Sequence, residues 1–190
     1  MTHQRIARQT RGFTLTEAAI VLGIVGLILG AIWVAAASVY ANLRVKQTSE
    51  QILTIAQAVR ALHATSTTIP AGINALDVAR AGGIPKDMLD DALNPTTVTD
   101  VWGGAVNILR GTQVVAGDSF GISFARVPQQ PCVDLAVRNS GAGRDAGLLG
   151  IANALAYATA FPMDVTTAVG VCPITAVAGN TIVFTFRLRA

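Results

Sequence analysis

One acidic residue, Glu17, stands immediately before the uncharged run 18–43. About 20 apolar residues suffice for a helix to cross the hydrocarbon core of a membrane. An ionised carboxylate at the mouth of such a helix costs several kcal/mol if it enters hydrocarbon, so it is expected to have a function. The sequence therefore predicts a membrane-crossing helix with a functional carboxylate near its start.

The same carboxylate fits a second role. Thr14 and Glu17 have the spacing of a capping box, in which Thr14 accepts from the Glu17 amide and Glu17 reaches back. A helix that begins at the interface would place this glutamate among lipid headgroups. The two roles are compatible, and both remain open at this point.

Other residues offer little chemistry. Asp87, Asp90 and Asp91 cluster, but neighbouring carboxylates usually form a solvated face rather than a calcium site. The segment GAGRDAG (141–147) lacks the preceding strand and the lysine of a phosphate loop. Trp102 in VWGG is more typical of a packing anchor than of a sugar platform. We expect no catalytic residue, no metal and no cofactor.

Two cysteines, Cys132 and Cys172, lie beyond the apolar run. A single pair in an exported domain is most simply a disulfide, and two buried free thiols are the alternative. Neither cysteine has a Cys or His partner at the spacing of a metal site.

The positive charge belongs to the N-terminus. The chain is 52% hydrophobic and 13% charged, with a formal charge of +3. Arg5, Arg8 and Arg11 account for that excess, so no nucleic-acid partner is predicted. A basic flank before an apolar segment indicates a cytoplasmic N-terminus. The alternative is an ordinary secretory signal with a cleavage site in VAAAS (34–38), but the apolar run is long for a signal core.

The apolar run continues into an amphipathic helix. Nothing breaks a helix between Thr14 and about Ala64, and its second half carries a stripe that would pack on a domain. The stripe consists of Val45, Ile52, Ile55, Val59 and Leu62. Short helices are predicted at 74–83 and 85–93.

The C-terminal part has the texture of an antiparallel sheet. AVNILRG, TQVVAG, FGISFARV and TIVFTFRLR are predicted strands separated by glycine. In the last of these, alternation indicates one buried face with Ile182, Phe184, Phe186 and Leu188. A further helix is predicted around 145–158. The fold class is α+β.

The N-terminal string GFTLTE (12–17), followed by the uncharged run, resembles the prepilin signature of type IV pilins and pseudopilins. In that family a prepilin peptidase cuts after the glycine and N-methylates the new first residue. The resemblance implies cleavage after Gly12, methylation of Phe13 and an assembly role for Glu17. It also implies a pilin-like ladle: a long N-terminal helix packed on a sheet head that is braced by Cys132–Cys172.

The resemblance further implies an organisation and a set of partners. We expect a leader at 1–12, an assembly and membrane segment at 13–43, and a head at 44–190. AGGIPKDML and DVWGGAV resemble type IVb pilins. The implied partners are further copies in a helical filament, the inner membrane, the peptidase, an assembly ATPase and a platform protein. The alternatives are a minor pilin, a type II secretion pseudopilin, or a signal-anchored periplasmic binding domain that does not polymerise.

Overall fold

The computed structural model describes residues 14–173 and 178–189. Its elements in chain order are the helix α1 (Leu15–Leu62), the helix α2 (Ala75–Arg80), a 3-10 turn (Lys86–Met88), the strands β1 (Val106–Thr112) and β2 (Ala116–Val127), the helix α3 (Gln129–Ser140), the strand β3 (Leu148–Ala152), the helix α4 (Val165–Val171) and the strand β4 (Asn180–Arg187). The chain divides into two compact units within α1, between Ala41 and Asn42.

In the first unit, α1 is apolar on all sides. No proline interrupts the helix, and no residue between 15 and 41 is buried. Among the described residues α1 is the one helix long and apolar enough to cross a membrane. A helix that is apolar all round is expected in a lipid or protein interior rather than in water.

In the second unit, α1 contributes one face to the core of the head. Val45, Ile52, Ile55 and Val59 are each at most 1% exposed and belong to the same apolar cluster as the sheet phenylalanines. The predicted amphipathic stripe is confirmed for these four positions. Leu62, at the end of the stripe, is 46% exposed and lies outside the core.

The head sheet is antiparallel, with the strand order β1-β2-β4-β3. The register places Phe120 opposite Phe186 and Ile122 opposite Phe184. The rings of Phe120 and Phe186 stack at a centroid distance of 5.7 Å. The apolar face of the sheet in this α+β fold is therefore built from alternate residues of β2 and β4. For β4, these are the residues that the sequence predicted to be buried.

The second face of β4 is also buried, contrary to the prediction of one buried side. Val183 and Thr185 are at most 1% exposed. The segment 153–159 covers them: the Ala156 amide donates to Thr185 Oγ1 at 3.1 Å. Gly121 on β2 makes room for this segment, because a Cβ there would lie 2.5 Å from Leu155 Cδ2.

The predicted helix around 145–158 is wrong. Residues 148–152 form β3, which pairs with β4 along Leu148–Phe186 and Ile151–Phe184. The local pattern favours a helix, but pairing with an apolar central strand overrides it. Gly150 is also required, since a Cβ there would lie 2.3 Å from the Ala156 carbonyl oxygen.

Other boundaries differ in smaller ways. TQVVAG (112–117), predicted as one strand, is divided: 113–115 form the turn between β1 and β2, whereas Thr112 belongs to β1 and 116–117 belong to β2. Within 85–93 the helical part is the 3-10 turn. The helix predicted at 74–83 is present as α2 and begins with a capping box from Asn74 and Asp77. The helices α3 and α4 were not predicted.

Candidate assembly site

The site begins where α1 begins. The Glu17 amide donates to Thr14 Oγ1 at 3.3 Å, and the Ala18 amide donates to the Thr14 carbonyl oxygen at 3.2 Å. Thr14 thus satisfies an amide of the first turn, which has no partner within the helix. The residue is placed where a cap is needed, and the hydrogen bond is half of the predicted capping box.

Glu17 lies in the first turn of α1 and is exposed. Its carboxylate has no hydrogen-bond or ion-pair partner within 14–173 and 178–189. The helix dipole favours an anion at this end. The predicted processing residues Gly12 and Phe13 lie outside the described residues.

The apolar side chains that follow are exposed to an extent that is unusual for a soluble protein. Leu22, Leu27 and Trp33 are 71%, 78% and 76% exposed. Contiguous apolar surface of this kind marks a contact with lipid or with protein. The arrangement is therefore suited to self-association of helices around a carboxylate whose charge needs a partner.

The head has an internal brace that is independent of this site. The structure contains the disulfide Cys132–Cys172, with a Cα–Cα distance of 6.0 Å and both residues fully buried. It joins the first turn of α3 to the C-terminal end of α4. Because it closes a loop of about 40 residues, it is expected to stabilise the head by about 3–4 kcal/mol in chain-entropy terms.

A second brace, which the sequence did not indicate, connects α1 to the end of the sheet. The Arg60 guanidinium makes two hydrogen bonds of 2.8 Å with the Asp145 carboxylate. It also lies over the Phe186 ring at 5.6 Å and donates from Nε to the Arg187 carbonyl oxygen. The hydrogen bonds from Arg60 hold the pKa of Asp145 below its ordinary value. No sequence pattern could have indicated this pair, because the partners lie on separate elements.

The acidic residues Asp87 and Asp90 accept hydrogen bonds within the head. Asp87 accepts from Gln47 and Gln51 of α1 at 2.7 Å each, whereas Asp90 accepts from the amides of Thr96 and Thr97. No group of three or more potential metal ligands occurs in the described part of the chain. These carboxylates tie the loop before β1 to α1 and to itself.

Asp100 shapes the VWGG turn. Its Oδ1 atom accepts from the amides of Trp102 and Gly104, both at 2.8 Å. A Cβ on Gly104 would lie 1.8 Å from the Ala125 carbonyl oxygen, so glycine is required there. The turn packs Trp102 at the margin of the core, consistent with the predicted role of a packing anchor.

Comparison with known proteins identifies a family and similar solved structures. The Bundlin family model matches residues 36–189. The fold is similar to that of a type IVb pilin from Salmonella typhi, with 22% identity, a TM-score of 0.52, and coverage of 74% of this chain and 96% of that chain. TcpA, a type IV pilin from Vibrio cholerae El Tor biotype, matches with 16% identity and a TM-score of 0.44 over 75% of this chain and 98% of that chain. No curated protein sequence matches this chain.

Proposed function

This chain belongs to the Bundlin family of type IVb pilins, and from that premise we propose that it is a filament subunit that is processed at Gly12 and polymerises through α1. Members of this family are structural subunits, not enzymes. The observation that carries the proposal is the first half of α1, which exposes apolar side chains all round and bears one carboxylate at its start.

Before assembly, the segment 13–43 would anchor the subunit in the inner membrane. The basic residues Arg5, Arg8 and Arg11 support a cytoplasmic N-terminus. Prepilin peptidase would then cut after Gly12 and methylate Phe13. The implied assembly partners, an ATPase and a platform protein, act on the membrane-anchored subunit.

After cleavage, the new ammonium of Phe13 and the carboxylate of Glu17 would each need a counter-ion in an apolar filament interior. Helices packed with an axial stagger bring Glu17 of one copy to Phe13 of the next. Buried charge pairs contribute more to register than to net stability. The pair would therefore set the subunit spacing, while the apolar side chains supply the packing.

Intact mass spectrometry of protein from sheared cell-surface fibres tests this proposal. The expected mass corresponds to residues 13–190 plus one methyl group and minus the two hydrogens lost on forming Cys132–Cys172. Full-length protein found only in membranes would overturn it and favour a signal-anchored binding domain. Abundance separates a major subunit from a minor pilin or a pseudopilin, because either of the latter would form a small fraction of the fibre mass.

A further inference from the structure

A basic cavity of about 650 Å³ lies in the head, where α1 enters it. It is lined by Arg44, Val101, Trp102, Arg126, Pro128 and Ala178. We infer that this cavity, called here the basic pocket, binds the phosphate of an anionic phospholipid while the subunit is still in the membrane. The inference rests on the membrane stage of the proposed function and assigns a new ligand to the subunit.

The two arginines of the basic pocket are not engaged elsewhere. Arg44 and Arg126 are exposed, and neither makes a hydrogen bond or an ion pair with the described residues, whereas Arg60 pairs with Asp145. No carboxylate of a described residue lines the cavity. Two guanidinium groups beside an indole form a cationic site with an apolar wall. Such a site is suited to a phosphate group that is attached to an apolar moiety.

The backbone at Arg126 supports a specific role for its side chain. Arg126 has φ 57°, the one non-glycine residue with positive φ among those the structure describes. It lies in a bulge of β2, where pairing with β4 shifts between Phe124 and Val127. Bulges re-aim side chains, and left-handed backbone at a non-glycine residue is unfavourable and concentrates at functional sites. Here the bulge turns an arginine, rather than glycine or asparagine, to the edge of the basic pocket.

The place of Arg44 in the sequence selects the membrane as the source of the phosphate. It is the first charged residue after the run 18–43, and Tyr40 precedes it by about one helical turn. Basic and aromatic residues at the end of an apolar segment lie at headgroup level. Because Arg44 is covalently joined to the apolar segment, it stays near the membrane surface. The local concentration of lipid phosphate there is far higher than that of soluble phosphate.

Overall charge does not explain an attraction to anionic lipid. Beyond the leader the chain is formally neutral, because the excess of basic residues lies in 1–12. A preference for anionic lipid that arises within 13–190 would therefore be local to the basic pocket, and the leader arginines are common to every variant compared. This makes the inference testable by single substitutions that change the net charge equally at different places.

The test uses the full chain in neutral detergent micelles, with Trp33 replaced by Phe so that Trp102 is the sole tryptophan. Titration with phosphatidylglycerol should give a saturable change in Trp102 emission, and phosphatidylcholine should give none at the same concentration. Arg44→Gln should weaken the apparent phosphatidylglycerol affinity about tenfold, as expected for a charge-assisted contact to phosphate. Arg126→Asn should do the same and retain the fold, since asparagine tolerates positive φ.

Lys46→Gln is the matched control: it removes one positive charge two residues from Arg44 but does not line the basic pocket. It should weaken the affinity less than about twofold, the size of a screened surface effect. The inference is overturned if Lys46→Gln acts as strongly as Arg44→Gln, or if phosphatidylcholine gives the same response. Displacement of phosphatidylglycerol by millimolar inorganic phosphate would overturn the assignment to lipid.

A separate measurement distinguishes failure of this inference from failure of the proposed function. The same chain is incorporated into phosphatidylcholine vesicles and extracted with alkaline carbonate. A chain released by carbonate would contradict the membrane stage itself. A chain that stays in the vesicles but shows no phosphatidylglycerol response in micelles would overturn the basic pocket alone.

Discussion

The two halves of α1 share one continuous helix and differ in what surrounds them. Residues 15–41 contain one charged side chain, Glu17, and bury nothing, whereas 42–62 contain Arg44, Lys46, Glu50 and Arg60 and bury a stripe. The second half reads as an amphipathic helix because the head covers only one of its faces. The first half has no polar face, so the lipid or protein that surrounds it must present apolar groups to every side of the helix.

The difference has an energetic meaning. A fully exposed leucine or isoleucine forgoes roughly 1.5–3 kcal/mol that burial would provide. In the second half this free energy is already used to fold the head, because Ile52 and Ile55 are buried within the chain itself. In the first half it remains for insertion into lipid or packing against other copies. Under the proposed function, the second half of the helix would serve folding of the head and the first half would serve assembly.

Removal of one charge from each half should show this difference most strongly. Glu17→Gln retains a residue able to complete a capping box but removes the carboxylate that would neutralise the Phe13 ammonium. We expect the yield of sheared fibres to fall at least about tenfold, since an uncompensated buried charge costs several kcal/mol. Quantitative immunoblotting of the fibre and membrane fractions measures the effect.

Glu50→Gln is the matched change in the second half, where the side chain is 69% exposed. It should leave the fibre yield within about twofold, because an exposed charge contributes little. Normal fibres from Glu17→Gln would show that Glu17 acts as a cap alone.

Truncation of one isoleucine in each half extends the difference to stability. Ile55 is fully buried and Ile28 is 54% exposed. Ile55→Ala should lower the free energy of unfolding of the head by about 2–4 kcal/mol through lost burial and a cavity. Ile28→Ala should change it by less than about 0.5 kcal/mol. Guanidinium unfolding of the full chain in micelles, followed by Trp102 emission in the Trp33→Phe background, measures both; equal losses would contradict the separation of folding from assembly.

The limits of prediction from sequence follow the same division. Periodicity located α1 and its buried stripe, because 3.6-residue spacing depends on local order alone. The strand alternation of β4 was also visible, although the cover over its second face was not. That cover comes from 153–159, most of which lies in the helix predicted around 145–158. The local pattern gives no sign of its partner, β4, which lies some thirty residues further along the chain.

For the candidate site, the sequence indicated Thr14 and Glu17 because capping and charge patterns are local. It did not indicate the pairing of Arg60 with Asp145 or the convergence of Arg44 and Arg126. Each of these joins residues on separate elements, and only the folded sheet brings them together. Arg126 carried no signal at all, since its position in a bulge depends on how β2 pairs with β4.

The carboxylates of the second unit should make the head sensitive to acid. Hydrogen bonds from Arg60 hold the pKa of Asp145 below its ordinary value, and the Thr96 hydroxyl and nearby amides do the same for Asp90. For Asp118, burial opposes the shift, but amides of 113–115 and the Ser119 hydroxyl together lower the pKa to about 2. A lowered folded-state pKa contributes stability above the ordinary value near 4 and loses it as pH falls through the folded-state value.

Asp100 has the opposite sign. Burial raises its pKa, so its ionised form disfavours the folded state at neutral pH, and protonation relieves this on acidification. The pKa of Asp164 is also lowered, by hydrogen bonds from Thr167. The four carboxylates with lowered pKa outweigh Asp100, and we expect the free energy of unfolding to fall between about pH 4 and pH 2. The unfolding titration repeated at pH 7, 4 and 2.5 measures it; stability that rises across this range would contradict the assignment.

Asp145→Asn tests the ion pair with Arg60, the one salt bridge formed by these carboxylates among the described residues. At pH 7 it should cost about 1–2 kcal/mol, the scale of a hydrogen-bonded charge pair at a partly buried site. It should also reduce the loss seen on acidification, because one titrating group has been removed. Asp134→Asn is the control, since Asp134 makes no hydrogen bond or ion pair with the residues that the structure describes; an equal cost from this change would show a nonspecific charge effect.

The smallest effect is expected from the other ion pair, which lies on the outward face of α1. Lys46 Nζ and Glu50 Oε1 are 3.8 Å apart, and their side chains are 71% and 69% exposed, against 18% and 16% for Arg60 and Asp145. Water and salt screen such a pair, and lysine preceding glutamate is the weaker order for this helical spacing. Lys46→Gln should therefore lower the free energy of unfolding by no more than about 0.3 kcal/mol. The same unfolding titration measures this loss. A loss above about 1 kcal/mol would mean that the outward face of α1 also stabilises the head. The single buried stripe would then no longer account for how the second half folds.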